Sequence, residues 1–85
     1  MVDHVLKTHP EAFQAILTGH KTAEFRRNDR GFKVGQVVRL AEYAPPPFFS
    51  VREIDIRITH IADNPEYGIP EGFAMLSFKV MWVKA

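Results

Sequence analysis

The sequence predicts an α+β fold, in which about five strands form a mixed or antiparallel sheet that curls into a small barrel with one main helix packed beside it. Several short runs alternate between apolar and polar residues, whereas only one segment has helical spacing, so the β-α-β pattern of a parallel sheet is absent. The 85 residues are 46% hydrophobic and include seven Phe, which is enough for one packed core. We therefore expect residues 1–85 to form a single domain.

The N-terminal segment predicts a strand that is followed at once by the helix. Val5 and Leu6 lie in a short apolar run. Thr8 and Glu11 fit a capping box, in which the Thr8 hydroxyl accepts a hydrogen bond from an amide of the first helical turn. The helix then has an apolar face and ends at a glycine: Phe13, Ile16, Leu17 and Gly19.

The second predicted strand, Lys21 to Arg27, collects polar side chains on one face. Ala23 and Phe25 point to one side of this strand. The other side carries Thr22, Glu24 and Arg26. Turns at Asn28–Gly31 and Val34–Gln36 separate it from the next strand.

Three further strands are predicted over residues 37–43, 51–62 and 73–83. The middle one alternates most clearly: its three central isoleucines point inward, and the same alternation places His60 inside. The last one presents an apolar face made of Ala74, Leu76, Phe78, Val80 and Trp82. Residues 45–47 are three prolines, which lack the amide hydrogen that a strand ladder needs, so they form a loop.

Composition argues against several classes of protein. The chain has no cysteine, which removes disulfides and thiolate zinc sites and favours a cytoplasmic protein. No apolar stretch of about 18 residues is present, so we expect neither a signal peptide nor a membrane partner. The four histidines lack metal-ligand spacing, and no dinucleotide fingerprint occurs. We therefore expect no metal and no cofactor.

Positive charge is concentrated in one segment. The net charge is only +1, but residues 1–41 carry +3 and residues 42–85 carry −2. The excess lies in Lys21, Arg26, Arg27, Arg30 and Lys33. Because phosphate affinity depends on local clustering of cations, this segment could grip a phosphate backbone while Phe32 stacks on a base. The alternative is that Phe32 is buried in the core and the arginines are solvated.

The start of the second strand combines a cation, a carboxylate and a guanidinium. Glu24 and Arg26 share a strand face and can pair, and Lys21 at the strand entrance can turn towards the same hollow. Such a set can bind a phosphate, and a desolvated lysine beside a carboxylate can act as a base or nucleophile. The other interpretation is a solvated edge strand whose charges have no function.

The spacing Gly19-x-Lys21-x-x-Glu24-x-Arg26 resembles the G-x-K-x-x-E-x-R signature of the ASCH domain, a branch of the PUA-like β-barrel superfamily. Residues 4–7, 27–35, 52–54 and 72–77 resemble a small bacterial and phage ASCH-like family of unassigned function. The resemblance implies a PUA-like barrel with a cleft beside the helix, lined by these three charged residues, and a role in RNA binding. Some ASCH relatives are enzymes: one group hydrolyses an amide on a modified cytidine, and another is a metal-dependent ribonuclease. Glu24 stands where the amidohydrolase group has Thr.

Three functions stay open on this basis. The first is binding of RNA or a nucleotide by a Lys/Glu/Arg-lined cleft. Its candidate ligand-binding residues are Lys21, Thr22, Glu24, Arg26, Arg27, Arg30 and Lys33. The second is a small hydrolase, an amidohydrolase or ribonuclease, with Lys21 and Glu24 as catalytic candidates. The third is a protein-interaction module of phage or bacterial origin that uses Phe48 and Phe49.

Overall fold

The structure is a computed structural model that describes residues 1–84. These residues contain one α-helix, α1, which spans Pro10–Leu17. A short 3-10 helix covers Pro65–Tyr67. No helix in the described part of the chain has the length and apolar character that crossing a membrane requires. The strands are β1 His4–Thr8, β2 Ala23–Arg27, β3 Val37–Glu42, β4 Glu53–Ala62 and β5 Phe73–Lys84.

All five strands belong to one mixed sheet in the order β1-β3-β4-β5-β2. β1 runs parallel to β3, whereas the three other pairings are antiparallel. The two edge strands, β1 and β2, are joined in the chain through α1, which therefore spans the open side of the curled sheet. The result is a half-barrel with one helix, which confirms the predicted α+β sheet at this level.

The core fills the inside of this half-barrel. The buried apolar side chains come from the helix, the loop before β3 and four of the strands: Leu6, Phe13, Ile16, Phe32, Val38, Leu40, Ile54, Ile56, Ile58, Ala74, Leu76 and Phe78. Within residues 1–84, β2 contributes none of them. This edge strand is therefore held in the sheet by its backbone hydrogen bonds to β5 and not by buried apolar side chains of its own.

The predicted capping box at the start of α1 is wrong. Thr8 is the last residue of β1, where it pairs with Glu42, and its carbonyl accepts a hydrogen bond from Tyr43 N at 2.8 Å. The helix N-cap is His9, whose side chain makes no capping bond. The ladder to β3 extends through Thr8, so the helix begins one residue later than predicted. The end of the helix agrees with the sequence, since Gly19 has a φ of 82°, in the left-handed region.

Two register shifts between β4 and β5 change the faces predicted for later residues. Ile56 pairs with Val80, but Asp55 pairs with Trp82, so β5 has one extra residue and its alternation reverses there. Trp82 therefore lies on the outer face of the sheet and not inside. A second shift directly before His60 leaves that side chain exposed, so its predicted place in the core is wrong.

Candidate functional site

A hollow of about 360 Å³ opens between the two edge strands of the half-barrel, a size within the roughly 300–1,000 Å³ of small-molecule sites. One wall is the end of β1 with the first turn of α1, and the other is β2 with the start of β5. The lining residues are Lys7, Thr8, His9, Ala12, Glu24, Phe25, Arg26, Arg27 and Phe73. We call this hollow the seam site, because it lies where the sheet does not close.

β2 turns its charged face towards the inside of the half-barrel. Paired residues of an antiparallel ladder share a face, and Glu24 pairs with Leu76 while Arg26 pairs with Ala74. Both partners are buried, whereas the intervening Phe25 is 45% exposed. The predicted alternation is therefore present, and its polar face is the inner one.

The three charged residues of the predicted cleft come together. Lys21 Nζ lies 3.5 Å from Glu24 Oε1, and Arg26 Nη1 lies 4.0 Å from Glu24 Oε2. The Glu24 side chain is 14% exposed and each cation is 31% exposed. Lys21 itself lines an adjoining hollow that shares His9 and Ala12 with the seam site. One nearly buried carboxylate thus lies between two accessible cations.

Two other arginine–carboxylate pairs form direct hydrogen bonds, whereas the Lys21–Glu24–Arg26 cluster does not. Arg39 donates to both carboxylate oxygens of Asp55 at 2.8 and 3.0 Å, and Arg52 donates to both oxygens of Glu42 at 3.0 Å. Such bidentate bonds occupy the carboxylate and two guanidinium donors. The Arg26 guanidinium, at 4.0 Å from its carboxylate, is beyond hydrogen-bond length. This guanidinium is therefore not held by that carboxylate and is available to a ligand.

An aromatic stack forms the outer rim of the seam site. The rings of Phe25 and Phe73 lie 5.3 Å apart with an interplanar angle of 11°. The Arg27 guanidinium lies 4.8 Å from the centroid of the Phe73 ring. Exposed ring faces of this kind are suited to stack on a planar ligand group such as a nucleobase.

Two more hollows adjoin the seam site at Lys7 and extend past the end of β3. One of about 300 Å³ is lined by Lys7, His9 and Tyr43, and a second of about 420 Å³ extends from Lys7 to Phe49. Phe48 and Phe49 are 73% and 83% exposed. A furrow of cations and aromatic rings thus runs from the Lys21 hollow through the seam site to this loop. A protein partner for the two phenylalanines stays a prediction.

The remaining residues of the basic segment lie away from the furrow. Thr22 is exposed at the entrance of β2, and Lys33 is exposed in the turn before β3. Arg30 Nη1 donates to the Val5 carbonyl at 3.0 Å and so ties the loop after β2 to the free edge of β1. Phe32 is 5% exposed in the core, so the alternative of a buried Phe32 is correct.

One wall of the seam site has no signal in the sequence. Lys7, Thr8, His9 and Ala12 carry no motif that marks a ligand site, and they meet β2 only because the sheet curls and brings its two edges together. Phe73 lies at the start of a predicted strand and in the segment 72–77 that resembles the ASCH-like family, but neither feature marks it as a site residue. These residues could be found only from the tertiary structure.

The seam site has the donor set of an anion site. Among residues 1–84, no three His, Cys, Asp or Glu side chains lie together in the way that a bound metal ion requires. The seam site contains a single carboxylate, Glu24, beside Lys7, Arg26 and Arg27. This arrangement favours an anionic ligand.

The seam site lies within the part of the chain that matches known proteins. A family model described as "Domain of unknown function (DUF3850)" matches residues 3–78. A protein of Escherichia phage P2, described as an uncharacterized 12.9 kDa protein in the GpA 3' region, is 37% identical over 64 residues. These residues are 75% of this chain and 58% of the phage protein, so the chain spans little more than half of that relative.

Proposed function

The chain belongs to the DUF3850 family, and we propose that it binds single-stranded nucleic acid, RNA in the first place, or a nucleotide in the seam site. The observation that carries the proposal is the open Lys21–Glu24–Arg26 cluster on the inner face of the sheet, with ion-pair distances of 3.5 and 4.0 Å. The curled mixed sheet and the ASCH signature spacing also support a PUA-like barrel as the fold.

The seam site offers a partner for each chemical part of a nucleotide. Its cations, Arg26 and Arg27 above all, can bind phosphate oxygens. Glu24 is an acceptor for the amino group of a base edge. The stacked pair of Phe25 and Phe73 offers a face for the base itself.

The double variant Lys21→Ala with Arg26→Ala is expected to lower the affinity for a short single-stranded RNA about tenfold at moderate salt, because two phosphate contacts are removed. Fluorescence anisotropy of a labelled RNA measures this loss. A titration over a range of salt concentrations should also show a shallower dependence of affinity on salt for the double variant.

A matched control carries the same change of charge outside the furrow. Lys33 and Lys79 are both exposed, and neither lines the seam site or its adjoining hollows. The double variant Lys33→Ala with Lys79→Ala should bind RNA nearly as the original chain does. If both double variants lose affinity equally, or neither does, the seam site is not the binding site.

The contact between Lys21 and Glu24 supports a second candidate function, a small hydrolase acting on a modified nucleoside. A lysine that a neighbouring carboxylate holds in position can act as base or nucleophile. This candidate predicts that an acylated nucleoside is cleaved and that Lys21→Ala abolishes the product, as followed by chromatography. A panel of acylated nucleosides without any Lys21-dependent product would remove it.

A further inference from the structure

The Thr8 hydroxyl is the one buried polar side-chain group among residues 1–84 that lacks a hydrogen-bond partner. Its side chain is 3% exposed, and Oγ1 has no hydrogen-bond partner among residues 1–84. Leaving a buried hydroxyl without a partner costs about 1–3 kcal/mol, and such groups are rare in native structures. A valine would fill the same space without this cost, so the hydroxyl indicates a role when a ligand is bound.

Thr8 lies at the corner where β1 leads into α1. The first bond of the helix is donated by Phe13 N to the His9 carbonyl at 2.8 Å. The amides of Glu11 and Ala12 come before it, so they have no acceptor within the helix. Free amides at a helix N-terminus attract an oxyanion. Thr8 and the start of the helix thus border the same hollow, which Ala12 also lines.

The charge of the seam site fits a dianion. Lys7, Arg26 and Arg27 against Glu24 give the lining residues a net charge of +2. A terminal phosphomonoester carries about −1.5 to −2 at pH 7, whereas a phosphodiester within a strand carries a single negative charge. The terminal group therefore matches the site better than an internal one.

The shape of the corner favours the same ligand. Thr8 closes it on the core side, since this lining residue is only 3% exposed. A phosphate next to the Thr8 hydroxyl can have a neighbour only on its outward side. A terminal phosphate has one ester bond and meets this condition. An internal phosphodiester has two ester bonds, so the nucleic-acid chain would have to leave the hollow in two directions.

We propose that the Thr8 corner of the seam site binds the terminal phosphate of a nucleotide or of a single-stranded RNA end, with Thr8 Oγ1 donating a hydrogen bond to it. This inference rests on the proposed function and adds the class of ligand, a phosphorylated end. Lys7, Arg26 and Arg27 neutralise the phosphate, and the stacked phenylalanines then lie on the side of the adjacent base.

The test compares RNAs of one sequence that differ only in a phosphate at the 5′ end or only in a phosphate at the 3′ end. The original chain should bind the phosphorylated member of at least one pair about tenfold more tightly, as a hydrogen bond to a charged group implies. Thr8→Val should reduce that preference strongly, because the hydroxyl donor is lost while Lys7, Arg26 and Arg27 remain. Thr8→Ser should restore the preference, because it returns the hydroxyl.

Thermal unfolding separates this role from a structural one. Thr8→Val keeps the shape of the side chain and removes an unpaired hydroxyl, so its unfolding temperature should equal or exceed that of the original chain. Equal affinity of the original chain for phosphorylated and unphosphorylated RNA, or a preference that is undiminished in Thr8→Val, would overturn the inference. The proposed function would still stand if Lys21 and Arg26 remain necessary for binding, whereas an original chain that binds neither RNA overturns both.

Discussion

Replacing Phe13 with alanine is expected to lower the free energy of unfolding by about 3–5 kcal/mol. The Phe13 side chain is fully buried and, together with Ile16, fixes α1 over the open side of the half-barrel. Removal of the ring leaves a cavity that the surrounding strands cannot fill. For a domain of 85 residues, whose total stability is about 4–13 kcal/mol, this loss is a large fraction of the whole. Urea denaturation followed by circular dichroism measures it.

The chain offers a control with the same change of side chain. Phe49 is 83% exposed, so Phe49→Ala should change the free energy of unfolding by less than about 0.5 kcal/mol. Similar losses for the two variants would show that α1 does not cover the core as the structure has it.

Replacing Arg52 with alanine is expected to cost about 2–3 kcal/mol. Arg52 makes a bidentate bond to Glu42, donates to Gln14 Oε1 at 3.3 Å and lies 4.8 Å from the centroid of the Phe13 ring. It therefore joins β3, the segment before β4 and the helix. The expected cost is below that of breaking a fully buried pair, because the Arg52 side chain is 31% exposed. Arg57→Ala is the matched control, since Arg57 is exposed and, within residues 1–84, donates only to the Gly35 carbonyl.

The ion pair between Arg52 and Glu42 also predicts how the stability of the fold depends on pH. Hydrogen bonds from Arg52 and then from Ser50 lower the pKa of Glu42 below its ordinary value of 4.5. A carboxyl group whose pKa is lowered by folding stabilises the folded state above its unfolded pKa, and this contribution disappears as the pH falls through the folded value. The unfolding temperature should therefore decrease below about pH 4.5, and Glu42→Gln should reduce that decrease. An unchanged pH profile in Glu42→Gln would contradict the assignment.

The polar inner face of β2 also explains why the sheet stays open. Closing β1 onto β2 would bury Glu24 and Arg26 away from water, and burial of charges without complete hydrogen bonding is costly. The elements at the open side are instead joined by α1 and by the Arg30 bond to Val5. The gap that remains is the seam site, so the same residues that prevent closure also line the hollow.

The sequence by itself determined the elements and the core of the candidate site. The helix, its glycine stop and the alternation of β2 depend on residues a few positions apart, as does the meeting of Lys21, Glu24 and Arg26. Only the tertiary structure decided which face of β2 points inward, because alternation reports a period and not a direction. It also decided that Thr8 ends a strand and does not cap a helix, and that Lys7 and Thr8 face Arg26, since these follow from pairings between residues far apart in the chain.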